Sequence, residues 1–147
     1  MSNLKVRNIF TTNDSTSAIP LRIVAGTIFA AHGAQKLFAW FGGYGLSGTG
    51  QWMESIGLTP GYLMALMSGS AEFFGGLMLI IGLLTRPTAL ILAVTMIVAI
   101  FSVHINNGLF MSNNGYEFGL VLIAVCIALL MQGSGKYSLD NIIYSKL

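Results

Sequence analysis

The sequence predicts an all-α fold: a bundle of four transmembrane helices, both termini cytoplasmic, with a short interfacial helix in the first outer loop. Three observations lead there. Of 147 residues, 54% are hydrophobic and only 8% charged, whereas a soluble domain carries roughly a quarter charged residues. Apolar runs stand at 19–41, 62–84, 87–103 and 118–131, and on the order of 20 helical residues cross a hydrocarbon core about 30 Å thick. Lys5, Arg7, Arg22, Arg86, Lys136 and Lys146 fall at the N-terminus, in the second loop and at the C-terminus. Four crossings put all six on one side, as retention of Lys and Arg on the cytoplasmic face requires, with Lys36 the exception.

Each element follows from local signals. Residues 1–18 are polar and rich in Ser, Thr and Asn; they read as a mobile cytoplasmic tail, too long and too polar to begin a signal peptide, so the first helix is retained. Pro20 sits where the first turn of a helix tolerates it. In the long loop 42–61, Trp52, Met53 and Ile56 recur at helical spacing, which predicts a short helix over 51–58 at headgroup depth. Thr85-Arg86-Pro87 is a tight connection, with Thr85 as N-cap and Pro87 as helix start, making the second and third spans an antiparallel hairpin. The third run is short. It leads into a loop with two turn signals, Asn106-Asn107-Gly108 and Asn113-Asn114-Gly115. The fourth run reaches about 17 residues only if Tyr116, Glu117 and Gln132 are counted, so length alone also allows a re-entrant segment, and the sidedness of the cations favours a span. Past Gly133-Ser134-Gly135, residues 138–143 form a capped amphipathic turn on the cytoplasmic surface. The chain thus divides into a tail (1–18), a transmembrane domain (19–132) and a C-terminal tail (133–147).

Several functions are excluded. Gly43-Tyr44-Gly45-Leu46-Ser47-Gly48 fits the dinucleotide fingerprint G-x-G-x-x-G, but it follows a membrane helix with no strand before it and no acidic residue placed for a ribose. Its glycines are expected to end the helix and free the loop. A net charge of +2 arises from sidedness and makes no basic patch for nucleic acid. The single Cys126 cannot form an intramolecular disulfide and reads as core filler. No haem or Fe–S ligand pattern occurs, and His32, His104 and the glutamates lack metal-ligand spacing.

Ionisable groups inside a span are costly and tend to face the protein interior. At about 100° per residue, Arg22, Gly26, Phe29, Gly33, Lys36 and Trp40 fall on one stripe, with His32 at its edge. Glu72 shares a face with Ala65, Ser68, Gly75 and Gly76, a small-residue surface that admits a neighbouring backbone. At a rise of about 1.5 Å per residue, His32 and Glu72 both lie roughly 12–15 Å below the outer ends of their helices, with Lys36 about one turn above. Lys36 should therefore pair with Glu72, His32 hydrogen-bonding alongside. Glu117 opens the fourth span, where the helix dipole favours a carboxylate. His104 is expected at the outer interface, and Arg22 is expected to snorkel to inner headgroups.

At these residues the chain resembles the DoxX-like family of small bacterial four-helix membrane proteins. The resemblance rests on Leu21-Arg22, His32-Gly33 with Lys36, Glu72-Phe73-Phe74-Gly75-Gly76 through Gly82-Leu83-Leu84-Thr85-Arg86, His104 before Gly108-Leu109-Phe110, Gly115-Tyr116-Glu117, and Gly133 and Gly135 through Ser138-Leu139-Asp140. It implies the fold and the bacterial inner membrane. The family takes its name from the small subunit of an archaeal enzyme that oxidises thiosulfate with a membrane quinone as acceptor. Since the chain has no haem, Fe–S or dinucleotide site, the resemblance implies that any electrons are carried either by a bound quinone as cofactor or by partner subunits of a membrane redox complex.

Three readings follow. In the first, His32, Lys36, Glu72 and Glu117, with His104 nearby, form an outer-half site that hydrogen-bonds a quinone and handles its protons. In the second, the chain is a non-catalytic adaptor whose buried charges, with Arg22, Gly33, Gly75 and Gly76, clamp the helices. The third is a solute or proton-coupled transporter acting as a homo-oligomer.

Overall fold

A computed structural model of the protein describes residues 10–12 and 15–146; most of the expected N-terminal tail lies outside them. Among the described residues there is no strand. The helices are α1 (Ala18–Phe38), α2 (Gly45–Ser55), α3 (Gly61–Ile81), α4 (Thr85–Ala99), α5 (Glu117–Gln132) and α6 (Leu139–Tyr144).

Among the described residues, two helical stretches are long and apolar enough to cross a membrane, Gly61–Ile81 and Thr85–Asn107. The second corrects the short third run read from hydropathy: beyond Ala99 the chain stays helical through a π segment, Ile100–His104, and a 3₁₀ turn, Ile105–Asn107. Polar Ser102, His104, Asn106 and Asn107 hide that continuation from a hydropathy count. α1 is as long as α3, at 21 residues, and carries Arg22, His32 and Lys36. α5 has 16 residues, or ~24 Å.

The glycines expected to end α1 do not do so. Ala39 terminates it in the left-handed region at φ 58°, and a 3₁₀ turn, Trp40–Gly42, follows with Phe41 at φ 52°. Gly45 then opens α2, six residues before the predicted start at 51. α2 buries Thr49, Gly50 and Met53 and lies against the start of α3, where a Cβ on Gly50 would stand 2.9 Å from Tyr62 Cα. The Glu54 carboxylate accepts a hydrogen bond from Gly61 N–H at the first turn of α3.

Small residues bring α1 and α3 together, as association without a hydrophobic driving force requires. A Cβ on Gly33 would stand 2.6 Å from Phe73 Cα, and one on Gly26 would stand 2.7 Å from Gly76 O. Gly76 in turn faces Ala30, whereas Gly75 faces Leu92 of α4 at 3.2 Å. Phe29, Leu79, Leu92, Leu122, Cys126 and Leu129 form the core where α1, α3, α4 and α5 meet. Outward, Val24, Met67, Phe74, Ile91, Val94, Phe101, Val121 and Ile127 are exposed on all four helices, an apolar girdle of the kind that marks contact with a membrane or a partner.

One end of the bundle is closed by both terminal segments. Gly135 N–H donates to Thr12 Oγ1 and Lys136 N–H to Ser15 O, while Arg86, in the first turn of α4, donates to Thr11 O and Met131 O. This end is the base. The loops 39–60 and 105–116 lie at the other, the loop end.

Candidate functional site

Lys36 and Glu72 meet as the helical angles predict. Lys36 Nζ lies 2.5 Å from Glu72 Oε2; the glutamate side chain is 4% exposed and the lysine 23%. Close contact along the glycines sets this distance, because a Cβ on Gly69 would stand 3.2 Å from Lys36 Cβ. An ammonium against a carboxylate is a strong charge-assisted bond, and in a low dielectric neither partner is easily removed alone.

The exposed side of Lys36 borders a cleft of about 220 Å³, lined by Gln35, Lys36, Gly42, Gly43, Tyr44, Thr49 and Trp52. The turn after α1 shapes it. Gly43 packs so closely on Gln35 that a Cβ would stand 2.5 Å from Gln35 Cα, and Gln35 Nε2 donates to Phe41 O at 3.2 Å. Two non-glycine residues with positive φ, Ala39 and Phe41, flank this wall. Such conformations cost about 1–3 kcal/mol each and persist only where surrounding structure holds them.

The other expected members are elsewhere. His32 is exposed and makes no hydrogen bond to Lys36 or Glu72, so the expected bond is missing, although it lies near enough to both to feel their charges. Glu117 Oε1 accepts from Met111 N–H at 2.6 Å and so ties the loop 105–116 to α5, instead of joining Lys36. His104 Nδ1 lies 2.8 Å from Asn114 O in the same loop. Asn114 and Gly108 take the positive φ that the turn signals suggested.

A second polar cluster sits at the base, and sequence reasoning missed it. Arg22 is 2% exposed and does not snorkel: its Nη2 donates to Tyr137 O at 2.7 Å, and its guanidinium lies over Gly82, where a Cβ would collide with Nη1. Gly82 also ends α3 at φ 66°. Thr85 is not the N-cap of α4. Asp140 acts in its place, accepting from Leu84 N–H at 2.6 Å and Thr85 N–H at 2.8 Å. Asp140 N–H closes the ring on Gly82 O. Ser138, as predicted, caps α6 through Asn141 N–H. The motif from Gly133 to Asp140 is visible in the sequence, but the partners it reaches are not. Cys126 is buried and unpaired, as filler should be.

A membrane-type helical bundle with a buried lysine–glutamate pair at one end and a buried arginine under its own C-terminal segment at the other is thus the class of protein these features define. A profile of the DoxX family matches residues 17–105, more than half of the chain. The chain belongs to the DoxX family. It is 35% identical over 124 residues to the provisionally named oxidoreductase CatD of Bacillus subtilis (strain 168), covering 84% of each chain. It is 31% identical over 139 residues to the inner membrane protein YqjF of Escherichia coli (strain K12), covering 90% of this chain and 96% of the relative. No solved structure matches.

Proposed function

We propose that the protein is a four-span protein of the bacterial inner membrane, with its base on the cytoplasmic side, that binds the ring of a quinone beside Lys36 as the quinone-linked subunit of an oxidoreductase. The observation that carries this reading is the Lys36–Glu72 pair, held inside the bundle with its ammonium reaching the edge of a cleft walled by Gln35, Tyr44 and Trp52. The residues fit such a ligand. Lys36 donates to a ring oxygen, Trp52 and Tyr44 offer aromatic faces, and Glu72 keeps the lysine in place. A volume of about 220 Å³ is below the roughly 300–1,000 Å³ of sites for drug-sized ligands, so a single ring fits with its tail outside. A bound quinone would supply the electron carrier that the side chains lack. The names of CatD and YqjF support the oxidoreductase role and the inner membrane respectively.

The test is native mass spectrometry of gently extracted protein. Quinone should copurify with the wild type and be lost from Glu72→Gln and Lys36→Met. An adaptor role is the second reading, favoured by the near-complete burial of Glu72, which suits a clamp. Wild-type protein that neither retains nor rebinds quinone, yet holds partner subunits in the same spectra, would replace the first reading with the second.

A further inference from the structure

Two polar clusters occupy the two ends of the bundle, and what lies between them decides which compartment each can reach. Phe29 stands seven residues from both Arg22 and Lys36 in α1, ~10 Å from each along the helix axis. Leu79, Leu92, Leu122 and Cys126 belong with Phe29 to one buried core cluster. Lys36 and Glu72 are the charged groups facing one another above this core, with His32 beside them on α1; α4 and α5 contribute Leu92, Leu122 and the Cys126 thiol. A proton path needs a chain of donors and acceptors or waters held by two to four polar partners. Close-packed hydrocarbon offers none, a thiol is a weak donor, and the buried Thr88 hydroxyl on α4, one turn from Leu92, is turned to Met78 Sδ at 4.0 Å. Below the core, the base is closed by Arg22, Asp140 and the terminal segments. On the opposite side, the cleft at Lys36 is walled by the loop residues Gly42, Tyr44 and Trp52.

We propose that the Lys36–Glu72 site exchanges protons and ligand with the loop-side compartment alone, and that the bundle carries no proton from one side of the membrane to the other. The inference rests on the reading of this pair as a ligand and proton-handling site, and it assigns the compartment that the site serves. It opposes the transporter reading, which needs access to alternate between the two sides.

Single cysteines in a Cys126→Ala background test it: Gln35→Cys in the cleft, Gln51→Cys on exposed α2, and Lys136→Cys at the base. Sealed vesicles of both orientations are treated with a membrane-impermeant maleimide. Gln35→Cys should react from the same side as Gln51→Cys, at least tenfold faster than from the side that labels Lys136→Cys. Labelling from the base side, from both sides equally, or from neither overturns the proposal. Wild-type protein in liposomes gives a measurement free of variants: an imposed pH gradient should decay no faster than in protein-free liposomes, and a twofold faster decay overturns the proposal. Absence of copurified quinone would remove the quinone reading while leaving the labelling result intact. Wrong-sided labelling of quinone-loaded protein would do the reverse.

Discussion

Lys36 and Glu72 depend on one another more than on any third group. Breaking a buried pair by removing one partner strands the other charge, a loss of about 3–5 kcal/mol when both are fully buried. Since Lys36 is 23% exposed, solvent screens part of that. Glu72→Gln or Lys36→Met alone should cost about 1–3 kcal/mol, and the double variant should recover at least half of the summed loss. Thermal unfolding in detergent measures this, and a double variant as unstable as the sum of the singles would show that the pair is not a unit. The pair was legible in the sequence because helical angle gives direction and rise gives depth. His32 was not, since its angle lies at the edge of the stripe and nothing local says whether a neighbouring helix covers that edge. Arg22 was misread for a related reason: its acceptor, Tyr137 O, lies 115 residues away.

Helix–helix contacts show the same division between what is local and what is not. Small residues on the Glu72 face announced a close neighbour, and the structure supplies two, α1 at Gly76 and α4 at Gly75. Gly33→Ala would drive a Cβ into the backbone of Phe73, where a side-chain rotation gives no relief, so α1 and α3 must part. Overpacking of this kind costs about 1–3 kcal/mol. Gly75→Ala meets only the flexible Leu92 side chain at 3.2 Å and should cost clearly less. Melting temperatures of the two variants check the ranking, and equal losses would contradict it. The N-terminus of α4 was misassigned because Thr85 has the right residue type in the right place, whereas the group that satisfies the backbone arrives from Asp140. Asp140→Ala should lower stability by about 1–3 kcal/mol through two lost charge-assisted bonds. The C-terminal segment should also become open to proteolysis after Gln132, and protease resistance equal to wild type would count against this role.

In the whole molecule the two polar clusters act as separate locks. Asp140 N–H bonds Gly82 O, and Gly82 lies ten residues along α3 from Glu72, ~15 Å at helical rise. No side chain is shared between the clusters: Glu72 pairs with Lys36, whereas Asp140 holds the start of α4. Changes more than about 7–10 Å apart with no common partner usually add within about 0.3–0.5 kcal/mol. Glu72→Gln and Asp140→Asn combined should therefore destabilise by the sum of their separate effects. Quinone retention should follow Glu72 alone, so Asp140→Asn, once folded, should keep the ligand. The alternative is a bundle in which α3 passes strain from one end to the other, as a transporter alternating between two packings must do. In that case the double variant would depart from the sum by 1 kcal/mol or more, and Asp140→Asn would release quinone from the far end. Paired thermal shifts and native spectra on the three variants separate these outcomes. The apolar core of Phe29, Leu79 and Leu92 is the reason to expect additivity, because Phe29 stands midway along α1 between Arg22 and Lys36 and the core contributes no polar group to either lock.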